Sequence, residues 1–100
     1  MKTNRLVIAA PTVATLEEYV QNRLCEHHRW EAVQTVVKRH LIRRSHQVCG
    51  LLILIEGPRA HKSHAIWAGL ENRVIFYDTM GQRFAEVQLS EAPDPALLEG

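Results

Sequence analysis

His64 and Asp78 stand fourteen positions apart, at the two ends of the segment HAIWAGLENRVIFYD, in a chain of 100 residues. Thiols are available at Cys25 and Cys49. Thiol, imidazole and carboxylate are the residue types of nucleophilic acyl chemistry, in which a base activates the thiol and a third group orients the base. Histidine also suggests metal binding. His61-x-x-His64 and His27-His28 could gather around an ion with either cysteine. No Cys-x-x-Cys pair and no His-Glu-x-x-His run is present, so the spacing matches no strong zinc signature and no metal is expected. No phosphate-cradling glycine loop or dinucleotide fingerprint occurs, and no cofactor is expected.

The elements that must position these groups follow from hydrophobic periodicity. Arg5 to Ala10 reads as a short strand stopped by Pro11. Thr15 and Glu18 have the spacing of a capping box. Leu16, Tyr19, Val20 and Leu24 then recur at helical spacing, and Trp30, Val33, Val36, Val37, His40 and Leu41 continue that period. One long helix or two helices broken near His27-His28 would satisfy the pattern, and length favours two. The run VCGLLILIE, 48–56, is continuously apolar and predicts a buried central strand. Gly57-Pro58 marks a turn. Residues 63–69, 73–79 and 84–89 predict three more strands, and 96–99 one helical turn. The expected architecture is α+β: an N-terminal strand and helices packed on an antiparallel sheet of three to five strands. It forms one domain over residues 1–90, with a loose tail over 91–100.

The hairpin between 63 and 79 sets a geometric condition on any joint action of His64 and Asp78. A three-residue loop, Leu70 to Asn72, with Asn72 in the left-handed conformation, pairs Gly69 with Arg73. His64 then faces Asp78 directly, with β-carbons about 5 Å apart. A two-residue loop, Glu71-Asn72, shifts the register by one and sends the two side chains to opposite faces.

A histidine opening one strand, an aspartate closing the next and a Gly-containing turn beyond it make a layout that resembles papain-like and transglutaminase-like cysteine hydrolases. It is similar to that of bacterial papain-fold toxin and effector peptidase domains. The resemblance covers about twenty residues, 63–84. It implies Cys25 as nucleophile, His64 as base and Asp78 as its orienting partner. The substrate would be a peptide or a glutamine side-chain amide. Cys25 precedes the histidine, as in those families, but requires a helix to begin near Asn22 to Cys25. Cys49 falls on a predicted buried strand. A degenerate relative that keeps the fold without the chemistry fits the same residues.

The alternative class is a non-catalytic module that binds protein or RNA. Residues 1–50 carry eight Lys/Arg and four Asp/Glu, and residues 51–100 carry four and seven. The basic excess gathers at Lys38, Arg39, Arg43 and Arg44, a candidate anion-binding patch or a solvated helix end. No aromatic residues interleave with it as nucleic-acid stacking would need. An exposed strand edge would offer a route to a homodimer. No apolar run reaches membrane-spanning length, and the N-terminus lacks a signal-peptide layout. A cytoplasmic protein, or one exported without a cleaved signal, is therefore expected, with both cysteines as thiols.

Overall fold

Thr12 starts the helix. In the computed structural model, which describes residues 6–98, its backbone is extended (φ −124°, ψ 160°) and its hydroxyl accepts the Thr15 N–H at 3.1 Å. The Thr12 N–H donates in return to the Thr15 hydroxyl at 3.1 Å. This reciprocal pair satisfies two of the free donors at the helix start. The cap thus lies three residues before the expected Thr15, and helix α1 runs Val13–His28. Leu16, Val20 and Leu24 recur every four residues and are fully buried. The helix ends without glycine: Arg29 takes the left-handed conformation (φ 60°), and its N–H and that of Trp30 both donate to the Cys25 carbonyl.

The helix faces one side of a six-stranded sheet ordered β1-β6-β5-β4-β3-β2. The strands are β1 (Leu6–Ala9), β2 (Val36–Arg44), β3 (Gln47–Glu56), β4 (Lys62–Ala68), β5 (Arg73–Tyr77) and β6 (Arg83–Glu91). β1 pairs with β6 in parallel; all other pairs are antiparallel. The protein is therefore α+β, as expected, but the sheet is mixed and has six strands rather than three to five. Arg5, part of the expected first strand, lies outside the described residues, as does Glu99 of the expected helical turn.

A second correction concerns residues 30–41. Their helical period is not used: after a 3₁₀ turn at Ala32–Gln34 the chain extends into β2. β3 needs a hydrogen-bonding neighbour on each edge, and β2 supplies one of them along nine residues. Val36 and Val37 suit that role because β-branched side chains pack well on a pleated surface. Ser45 and His46, both with positive φ (52° and 68°), make the two-residue connection between β2 and β3. Two consecutive left-handed residues are the hairpin turn whose twist matches that of the strands. Arg39 then ties this edge strand to the helix through Glu17, at 3.0 Å.

The core lies between α1 and the sheet. Leu51, Ile53 and Ile55 of β3, Ala65 and Trp67 of β4, Val74 and Phe76 of β5 and Val87 of β6 are all fully buried with Leu16, Val20 and Leu24 of the helix. Each large apolar side chain buried this way contributes about 1.5–3 kcal/mol. Residues beyond β6 are docked rather than loose. Pro93 is buried, and Ala92 and Leu98 pack against the core, Leu98 from a 3₁₀ turn at Pro95–Leu98. The described end of the chain thus belongs to the domain.

Gly50 marks the tightest approach between strands. A Cβ built there would lie 2.1 Å from the Trp67 carbonyl oxygen, so β3 or β4 would have to move. Gly50→Ala is expected to destabilise the domain by about 2 kcal/mol or more, by forcing a strand shift against a packed core. Urea unfolding measures it; a midpoint equal to wild type would contradict this packing.

Candidate functional site

β4 and β5 pair so that His64 lies opposite Tyr77, and Ala68 opposite Arg73. The connection is a four-residue loop, 69–72, rather than one of two or three. Asn72 is left-handed (φ 49°), as expected. Gly69, however, does not join the ladder with Arg73; its N–H turns to the Cys49 carbonyl of β3 at 2.8 Å. That bond continues the β3–β4 ladder, while the β4–β5 register lies one residue away from the one that pairs Gly69 with Arg73. Side chains alternate across a strand, so His64 shares a face with Ile66 and Ala68, away from α1. Asp78 follows Phe76 towards the helix side. The structure therefore does not bring His64 and Asp78 together.

His64 instead stacks on Tyr77, with ring centroids 4.7 Å apart and planes 12° from parallel. Burial against the sheet lowers its pKa below the usual histidine value of 6.5. Asp78 closes a turn: the Met80 and Gln82 N–H groups both donate to its Oδ1, at 2.9 Å. The Gln82 bond is the main cause of its lowered pKa, with the Met80 bond and the nearby His27 and His28 adding to it.

Cys25 sits in the last turn of α1 and is buried. The helix start, where the dipole favours a thiolate, is at Val13, about three turns away. The expected helix beginning at 22–25 does not occur, because the Thr12 cap starts a continuous helix ten residues earlier. Cys25, His64 and Asp78 thus occupy a helix end, the far face of the sheet and a turn. Cys49 is the extra residue of a bulge, where the β2–β3 register slips between Ile42 and Arg43. It is half-buried and lines a cleft of about 560 Å³ with Arg44, Gly69, Leu70, Asp94 and Pro95.

What Asp78 does meet is the end of α1. His27 stacks on Phe84 (3.6 Å, 9°), His28 stacks on Trp30 (4.5 Å, 23°), and the two histidines meet edge to face at 4.9 Å. Trp30 in turn lies over Gly57, where a Cβ would come within 2.6 Å of its ring. Burial lowers the His28 pKa, and the charge of His27 adds to that effect while Asp78 opposes it. This ladder of rings was not foreseen, because the chain reversal at Arg29 that folds Trp30 back onto the helix end carries no glycine. Among the described residues, no group of three or more His, Cys, Asp or Glu stands close enough to hold a metal ion.

The basic residues do not form one patch. Lys38 faces the uncovered side of the sheet and pairs with Glu56 at 3.0 Å, while Arg39 faces the helix side and pairs with Glu17. Consecutive strand residues point to opposite faces, so the extended conformation of β2 divides the cluster. Arg43 and Arg44 lie at the hairpin end of the same strand. No helix among the described residues is long and apolar enough to cross a membrane. Compared with family models, with curated proteins and with solved structures, the chain matches none.

The residues that stand out instead are apolar and point away from α1. Leu52 and Leu54 of β3, Ile66 and Ala68 of β4 and Ile75 of β5 are neighbours through the strand register, and all are half-buried. A solvated antiparallel face normally alternates to polar residues.

The two lowered histidine values fix a pH dependence. A histidine whose folded pKa lies below its unfolded value binds fewer protons folded than unfolded, so stability is full above about 6.5 and falls as pH drops through the folded value. Urea midpoints are expected to fall between about pH 7 and pH 5, and His28→Gln and His64→Gln should each reduce that fall. A midpoint that rises on acidification over this range would contradict the burial of both rings.

Proposed function

We propose that this chain is a non-catalytic protein-interaction module whose binding surface is the side of the sheet that α1 does not cover. One observation carries the reading: three adjacent interior strands present aliphatic side chains on a face with no layer over it among the described residues. Contiguous apolar surface of this kind marks an interaction site in a folded domain. The rim is polar, as protein interfaces are. On one side Lys38 and Lys62 flank Glu56, and on the other Arg73 and Arg83 flank Glu86.

The placement of the thiols also supports this reading over a cysteine hydrolase. A nucleophile must lie within hydrogen-bond reach of its base, and Cys25 and His64 are on elements separated by the sheet itself. The split of the basic residues between two faces gives RNA binding less support than protein binding, because a nucleic acid needs its phosphate contacts on one continuous surface.

The test uses substitutions that separate the two kinds of site. Leu52→Glu and Ile66→Lys place charges on the open face and should change stability by no more than about 1–2 kcal/mol. Each should abolish capture of a partner by the tagged domain from a cell extract. Cys25→Ser should leave capture intact, and the wild-type Cys25 thiol should react with iodoacetamide near pH 6 no faster than a model thiol. Fast alkylation of Cys25, or capture insensitive to both face substitutions, would contradict the proposal.

A further inference from the structure

The open face has an internal order that its strand register makes explicit. One row across the sheet reads Lys38, Leu54, His64, Tyr77 and Arg83. The next row reads His40, Leu52, Ile66, Ile75 and Glu86. The middle of both rows is apolar or aromatic. The β6 end is cationic in the first and anionic in the second.

We propose that a second copy of this chain covers this face, sheet against sheet, about a twofold axis that crosses the strands between these two rows. The inference rests on the interaction reading above and names the partner. Rotation about that axis lays each row on the other. Leu54 meets Leu52, Tyr77 meets Ile75, and His64 meets Ile66. Arg83 of each copy meets Glu86 of the other, so one favourable contact is made twice, as an isologous interface requires. At the β2 end Lys38 meets His40. No carboxylate faces a carboxylate.

The area is adequate for a specific but weak dimer. Five strands at about 4.8 Å spacing and about seven residues of each at about 3.3 Å give a face of roughly 550 Å² per copy. Both copies together approach the lower end of stable protein interfaces, about 1,200 Å². The β3 run adds a sequence argument. Nine consecutive residues, 48–56, include a single charged one, Glu56, a composition typical of strands covered on both faces. The helix covers one face and a second sheet would cover the other, at the roughly 10 Å spacing of packed sheets.

Sedimentation equilibrium on the purified protein from micromolar to millimolar concentration tests this. The mean mass should rise from one chain towards two. Ile66→Lys and Leu52→Glu should weaken the dimer by about tenfold or more, with folding monitored by circular dichroism. Two charge variants separate a contact between copies from the ion pair within each copy. Arg83→Glu alone and Glu86→Arg alone should both be monomeric, because like charges then meet across the axis. An equimolar mixture should dimerise, since each variant's 83 and 86 face opposite charges on the other.

A monomeric mass at every concentration would overturn the second copy as occupant. The interaction reading would then stand or fall on capture from extract and its loss in the face variants. A dimer that ignores Ile66→Lys and Leu52→Glu would overturn the assignment of this face. A mixture of charge variants that stays monomeric while wild type dimerises would overturn the proposed axis.

Discussion

The burial of Trp67 fixes which way every side chain of β4 points. Its indole is fully buried in the core that lies between the sheet and α1. Alternation along the strand then places Ser63 and Ala65 on the same side, both fully buried, and sends His64, Ile66 and Ala68 to the other. A slip of one residue would expose the largest side chain of the core and bury an imidazole in its place. The same alternation passes through the register to β3 and β5, so Leu52, Leu54, Ile75 and Tyr77 share the outward face. Both the separation of His64 from Asp78 and the apolar open face follow from this one constraint.

Among the described residues, one α-helix of sixteen residues against six strands leaves the architecture asymmetric. Its buried stripe reaches the central strands, and Arg39–Glu17 fastens the β2 edge to it. The opposite layer is supplied by nothing in the described chain, although β3 is apolar on both sides. An apolar face retained between two ion-paired rims is better explained by a partner than by stability of the isolated domain.

Much of the fold was legible in the sequence. The continuous run at 48–56, the turn at Gly57-Pro58 and the alternating segments around Trp67 and Val74 gave β3, β4 and β5 because burial and backbone preference agree there. The Trp30 to Leu41 segment misled, since its apolar residues keep a helical period while hydrogen-bonding demand along β3 recruits the chain as β2. Ser45-His46 does not announce a hairpin, because both residues adopt left-handed conformations without being Gly or Asn. The candidate dyad failed on a finer point. Asn72 is left-handed as expected, but the connection has four residues, 69–72, and pairs His64 with Tyr77, a register that loop composition alone does not decide.

The most direct measurement is the register of β4 against β5, read by nuclear Overhauser effects in a labelled sample. Cross-strand contacts are expected between His64 and Tyr77, including their stacked rings, and contacts are expected from the Trp67 indole to core methyl groups on the helix side of the sheet. The His64 ring should show no contact with those methyls. Cross-strand contacts pairing His64 with Asp78, together with His64 ring contacts to the helix, would contradict the account and restore the histidine and aspartate to one face.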